Sequence, residues 1–396
     1  MESEYKKNLN FIDVFFVGLG YIVGAGIYSL LNLTTKHGGN YTWLSFLIGG
    51  LISLMTAFSY YDLSKLNLKE TDSIEYTYIP FSISDTIICK IIIALIIIFL
   101  GIVTQSTLIT AFSNIIKKFL NNKLPYNLIV FLVISLITII NIYDIKFTTQ
   151  INMGISVVET LTLIILILLS IPYWKFNNMV GPININGVLY GAFLTIFAYS
   201  GFESIPKLTR KTINPTENIP KGIIYSLITT IILYILTSIS TNSVLGHNKT
   251  SKLVNPLSHV YNLLLGKNSK VLVDFITLFS VFNTGMLTLL FTSSQLNEFS
   301  RDEAISKYIS YFRNINSKTK TPINAIIFTS IITLIICLFT NIDNITHITS
   351  KLLFTLFALV NLSAIILINK NIIKNKSRYI IYLSGFLSSI YMLFKN

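Results

Sequence analysis

The sequence predicts an all-α polytopic membrane protein, and three observations carry that expectation. Of its 396 residues, 52% are hydrophobic and 12% are charged, with a mean hydropathy of +0.67; a soluble domain carries about 25% charged residues. The apolar residues gather into runs of the length a helix needs to cross a bilayer, about 20 residues. The basic residues fall in short segments between those runs and not along one amphipathic face. The net charge of +13 therefore reads as membrane topology, and no nucleic-acid partner is expected.

Hydropathy places eleven runs in order. The first, 11–31, follows a polar stretch of ten residues and is too long for the apolar core of a cleaved signal, so a retained helix is expected. The second, 42–64, ends at Lys65, and the third, 87–116, opens beside Lys90. Runs 126–142, 148–172 and 187–206 complete the first half of the chain. Runs 219–242, 271–298, 323–340, 346–369 and 379–394 follow, the last being short enough to cross only in part or to lie peripherally. Asn255 to Leu265 is expected as a short surface helix between the seventh and eighth runs. No linker or compositional break divides the chain, so one membrane domain is expected.

Loop charges orient it. With the N-terminus in the cytoplasm and sides alternating, 19 of the 30 basic residues lie inside, including Arg210, Arg301, Arg313 and Arg378. This satisfies the positive-inside rule and leaves the C-terminus outside; a cell membrane is the expected location, with lipid as a partner. Cys89 and Cys337 show neither metal spacing nor a disulfide framework. His37, His247, His259 and His347 fall in loops or at run ends, so neither a metal nor a cofactor is expected.

The first run carries a chemical signal. Gly18, Gly20, Gly24 and Gly26 crowd its middle, each weakening a helix by roughly 1 kcal/mol relative to alanine. Gly20 and Gly24 form a G-x-x-x-G pair, which lets membrane helices pack closely without binding anything. The other reading is a broken helix, viable in a bilayer only where the freed backbone groups line a cavity or are buried in protein. A second weak point at Ala198-Tyr199-Ser200-Gly201 in the sixth run favours the break. Two interrupted spans in corresponding positions of two halves point to the binding site of a secondary transporter.

Ile22-Val23-Gly24-Ala25-Gly26-Ile27-Tyr28 resembles the glycine motif of the amino acid–polyamine–organocation (APC) superfamily permeases. Gly38-Gly39, Trp43-Leu44-Ser45-Phe46, Thr56-Ala57-Phe58-Ser59-Tyr60 and Glu75-Tyr76-Thr77-Tyr78 are similar to that family's second helix and following loop. Phe197-Ala198-Tyr199-Ser200-Gly201-Phe202-Glu203 resembles its sixth helix, and Asn214-Pro215-Thr216-Glu217-Asn218-Ile219-Pro220-Lys221 the next loop. Ser300-Arg301-Asp302 and Thr321-Pro322 resemble the end of helix 8 and the start of helix 9. The resemblance implies two inverted five-helix repeats with broken helices 1 and 6, plus one C-terminal helix. The chain then divides into a cytoplasmic N-terminus (1–10), a ten-helix transporter core (11–369), and a cytoplasmic loop with an additional helix (370–396). Departures are Thr209-Arg210-Lys211 in place of an acidic pair, Glu303 and Ser306 in place of a glycine and a proline, and no twelfth helix.

The implied function is secondary active transport of amino acids by alternating access, through proton-coupled symport or exchange (antiport). The alternative is a non-transporting amino-acid receptor on a permease scaffold. No His/Asp, Ser/His or Cys/His constellation marks an enzyme, and no catalytic residue is expected. Backbone chemistry suits such a substrate. Breaking the first helix exposes N–H groups at a positive dipole end, which favours a carboxylate. Breaking the sixth frees carbonyls for an ammonium group. Substrate contacts are expected from Val23, Gly24, Ala25 and Gly26, and from Phe197, Ala198, Tyr199, Ser200 and Gly201, Phe197 matching the family's aromatic lid. Gln105, a polar residue inside the third run, is a further candidate, although such residues commonly hold helices together. Glu159 in the fifth run is a candidate for proton coupling, because an intramembrane ionisable residue is costly to keep; the competing role is a structural hydrogen bond. Glu203 is expected to hold broken helix ends together.

Overall fold

The computed structural model describes residues 9–66, 73–143, 145–302, 305–319 and 321–395. Lys6, Lys7, Lys69, Glu303 and Lys320, and the side chains of Ala25, Lys146, Arg210 and Lys211, lie outside the described residues.

The described residues are mostly helical, and the single strand-like pairing among them is a bridge between Leu9 and Thr212. Helix α1 (Phe11–Gly38) opens with a capping box, in which Asn10 accepts from the Ile12 and Asp13 amides and Asp13 accepts from the Asn10 amide. A 3-10 turn, Gly39–Tyr41, leads into α2 (Thr42–Leu66). Next come α3 (Ile74–Ile83), α4 (Ile87–Phe119), α5 (Tyr126–Tyr143) and α6 (Ile145–Ser170). Helix α7 (Ile185–Tyr199) stops at Ser200 and resumes as a 3-10 helix, Phe202–Lys211. The second half holds α8 (Pro215–Leu245), the short α9 (His247–Thr250) and α10 (Pro256–Leu265), and α11 (Lys267–Phe299). After the single turn α12 (Ser306–Ile309) come α13 (Ile323–Phe339), α14 (Ile342–Asn369) and α15 (Tyr379–Lys395).

Each of the eleven apolar runs lies on this helical framework. Eight stretches are long and apolar enough to cross a bilayer; one, Gly26–Leu66, joins the second half of α1 to α2, and Phe11–Gly24 and Ile323–Phe339 are shorter apolar helices. Large apolar side chains such as Ile88, Leu95, Phe131, Leu168 and Phe279 are exposed on the outside of the bundle. Such a surface is tolerated in lipid and not in water. The protein is an integral, multi-pass membrane protein.

Three elements differ from the hydropathy reading. Helix α3 is too short to register as a run, yet it is capped by Ser73, whose hydroxyl accepts from the Tyr76 amide. Helix α10 is not a surface helix: Pro256, Leu257, Val260 and Tyr261 are buried, and the Tyr261 hydroxyl donates to the Thr162 carbonyl at 2.7 Å. Helix α15 is 17 residues long, about 26 Å at 1.5 Å per residue, but it is docked. Arg378 Nη1 lies 2.7 Å from Asp62 Oδ2 on α2, the Tyr382 hydroxyl donates to the same oxygen, and Gly385 packs closely on Asn361 of α14.

Candidate functional site

The centre of the bundle is built from two interrupted helices in contact. In α1 the helical path fails at Gly24, with φ −21° and ψ −117°. Beside that break the Tyr234 hydroxyl of α8 donates to the carbonyls of Ile22 and Val23 at 2.8 and 3.2 Å. The same hydroxyl lies beside the Ile27 amide on the far side of the break. A buried backbone carbonyl without a partner costs about 1–3 kcal/mol, so Tyr234 stabilises the interruption.

In α7 the break falls at Gly201, whose φ is +127°, a backbone conformation that L side chains rarely adopt. A Cβ added there would sit 2.8 Å from the Tyr21 carbonyl oxygen, and one added at Gly26 would sit 2.6 Å from that of Ala198. The two broken segments therefore touch through bare backbone. Glu203 accepts from the Gly201 amide at 2.7 Å, so its carboxylate caps the 3-10 segment that continues α7.

A cavity of about 120 Å³ opens beside these breaks. Ile22, Gly26, Phe197, Ser200 and Gly201 form one wall. The facing wall comes from Gly101, Thr104 and Leu108 of α4, Thr284, Leu287 and Thr288 of α11, and Leu353 and Leu356 of α14. Toward the end of the bundle where α1 begins, the lining turns polar, with Glu75, Glu203, Lys207 and Gln295. Toward the opposite face an aromatic stack fills the space. Phe193 stacks on Phe354 at 5.5 Å and on Tyr190 at 5.9 Å, with the His347 ring 5.1 Å from Phe193 and His37 4.5 Å from Tyr190.

Of the residues singled out in the sequence, Gly26, Phe197, Ser200 and Gly201 line the cavity. Gly24 makes the break itself, and Val23 is buried with its carbonyl on Tyr234. Ala198 and Tyr199 lie buried behind the wall, and the Tyr199 hydroxyl donates to the Phe46 carbonyl at 2.8 Å. Gln105 is buried and turned toward α13, where its Oε1 accepts from Thr333 at 3.1 Å. Glu159 is 1% exposed, whereas its sequence neighbours Val157, Val158 and Leu161 are 40–50% exposed. Its side chain faces the bundle interior near Ser280, Tyr28 and Tyr234. Sequence reasoning missed Tyr234, Glu75 and Lys207. A tyrosine inside an apolar run is the only signal that marked Tyr234.

The profile of the amino acid permease family matches residues 9–395. A methylthioribose transporter of Bacillus subtilis is 24% identical over 392 residues, which cover 92% of this chain and 82% of the relative. The branched-chain amino acid permease BcaP of the same organism is 24% identical over 391 residues, covering 93% of this chain and 82% of the relative. The mitochondrial cationic amino acid transporter 3 of Arabidopsis thaliana is 24% identical over 386 residues, covering 92% and 63%.

Proposed function

The chain belongs to the amino acid permease family, and we propose that it moves amino acids by alternating access, coupled to a proton at Glu159. The observation that carries this reading is the contact of two broken helices at one cavity. The second half of α1 begins at that cavity, and the start of a helix carries N–H groups without intrahelical acceptors at a positive dipole end suited to a carboxylate. The end of α7, with Ser200 and Gly201 in the wall, offers the complementary end of a helix to an ammonium group. Gly26, Phe197, Ser200 and Gly201 are the substrate contacts of this reading, and Gly24 and Tyr234 hold the α1 break in shape.

With the N-terminus in the cytoplasm of a cell membrane, the polar end of the cavity faces inward. The aromatic stack around Phe193 then closes the outer side, as in an inward-facing stage of the cycle. Glu159 stands apart from the cavity, on a helix that packs against α1. A proton taken up there on one side and released on the other would bias α1 without touching substrate.

The test is uptake into liposomes holding the purified protein, with an acidic exterior. The wild type is expected to accumulate its amino acid, and Glu159→Gln to bind and exchange it without accumulating it. Undiminished concentrative uptake by a folded Glu159→Gln protein would refute the coupling role.

A further inference from the structure

The wall that faces the helix breaks is the part of the cavity left to recognise the substrate's side chain, and its chemistry is uneven in an informative way. Leu100 and Leu108 of α4, Leu287 of α11, Leu353 and Leu356 of α14 and Phe197 of α7 all meet there. Three threonines of α11 interrupt this surface, but each hydroxyl is turned back onto its own helix. Thr284 donates to the Ser280 carbonyl at 3.0 Å, Thr288 to Thr284 at 2.8 Å and Thr292 to Thr288 at 2.7 Å. Their hydrogen-bond donors are thereby spent within α11.

The charged lining residues sit elsewhere and are engaged. Glu75 accepts from the Tyr60 hydroxyl at 2.6 Å and, through its other oxygen, from Ser73 at 2.8 Å. Glu203 caps the Gly201 amide, and Lys207 lies over the Phe291 ring at 5.0 Å. All three belong to α3 or to the 3-10 segment after α7, at the polar end of the cavity. A charged substrate side chain set against these leucines would lose its water among apolar groups, with the charges of the cavity already engaged by other partners. An aliphatic one would be removed from water against matching apolar surface.

We propose that this chamber selects amino acids with neutral aliphatic side chains, of the size of valine, leucine or isoleucine, and excludes cationic and anionic ones. The proposal rests on the transport reading above and names its substrate class. Size enters through Gly101, where an added Cβ would lie 2.2 Å from Thr292 Oγ1. The glycine brings α4 against α11 and limits the depth available to a side chain.

The experiment is competition for labelled leucine, both in equilibrium binding to purified protein in detergent and in uptake by liposomes. The unlabelled competitors are isoleucine, valine, alanine, lysine, arginine and glutamate. Leucine and isoleucine are expected to outcompete alanine, and to outcompete the three charged amino acids by at least about tenfold, the lower bound for a single misplaced methylene in an apolar pocket. Lysine, arginine or glutamate binding as tightly as leucine would overturn the chamber assignment and leave the transporter reading standing. Binding of none of these amino acids would overturn both. A second arm uses Thr104→Asp, which places a carboxylate on the partly exposed α4 wall. Lysine is expected to gain at least about tenfold relative to leucine. A Thr104→Asp protein that still binds leucine and rejects lysine would refute the placement of the side chain in this chamber.

Discussion

Replacing Gly201 by alanine perturbs the joint between the two broken helices at its narrowest point. Two costs add. The φ of +127° lies where a residue with a Cβ is strained by about 1–3 kcal/mol. The new Cβ would also stand 2.8 Å from the Tyr21 carbonyl oxygen, 2.9 Å from its carbon and 3.2 Å from the Ile22 nitrogen. These are backbone atoms, and the neighbouring Ile22 carbonyl is fixed by Tyr234, so no side chain can swing aside to make room. The unwound segment must therefore move away from α1, opening the cavity wall. The strain alone predicts a loss of about 1–3 kcal/mol in stability, and the displaced cavity wall predicts weaker substrate binding. Equilibrium binding to purified Gly201→Ala protein, with its melting temperature measured alongside, checks this. Gly154→Ala is the control: that glycine is helical, exposed and has nothing within 4 Å of an added Cβ, so stability should rise by about 0.5–1 kcal/mol with binding unchanged. Wild-type affinity in Gly201→Ala would refute the argument that the breaks must touch through backbone.

Tyr234→Phe keeps the ring contacts with Phe46 and Tyr199 but removes the donor to the Ile22 and Val23 carbonyls. A loss of about 1–3 kcal/mol is expected, seen as a lower melting temperature and weaker substrate binding together. Asp62→Asn leaves Arg378, whose side chain is 20% exposed, without its carboxylate between α2 and α15. Breaking a fully buried pair costs about 3–5 kcal/mol, so this partly exposed one should lose less, up to about 3 kcal/mol, measured as a fall in thermal stability with substrate affinity intact.

The glycine cluster in α1 shows how far the sequence could be read. Two explanations competed there, close helix packing and a broken helix, and the fold uses both at different residues. A Cβ on Gly20 would lie 2.0 Å from Ser156 Oγ, and one on Gly18 would lie 2.6 Å from Ile205; these are packing glycines. Gly24 alone carries the non-helical dihedrals. Composition reported that the helix was weakened but not which glycine would yield, because that depends on Tyr234 waiting 212 positions away to satisfy the freed carbonyls. The break at Gly201 was legible for the opposite reason. A single glycine at the end of an apolar run leaves few alternatives. Helix α3 escaped because ten residues containing a proline and a glutamate look like a loop to any hydropathy window, and with it went the chance to see Glu75 reach the cavity.

Glu159 carries the sharper lesson about reading a membrane helix. Its neighbours in sequence suggested a carboxyl group set among Val158, Leu161 and Thr162, yet the two apolar ones face outward and are about half exposed. Among the described side chains of α6 the buried positions are Ser156, Glu159, Thr162, Leu163, Leu166, Ile167 and Ser170, and their recurrence every three or four residues is that of one helical face. Four of those seven are polar or ionisable, whereas the outward face holds apolar side chains that lipid accepts. The inward stripe was therefore written in the sequence, but in its polar residues and not its apolar ones, the reverse of a water-soluble helix. For an apolar solvent the informative period is that of the polar groups, and in α6 it leads from Ser156, against Gly20, to Glu159, whose backbone carbonyl accepts from the Tyr28 hydroxyl at 3.0 Å. Both contacts fall on α1, one on each side of Gly24. The buried face of α6 thus touches both halves of the broken helix, through the Ser156 side chain before Gly24 and the Glu159 backbone after it.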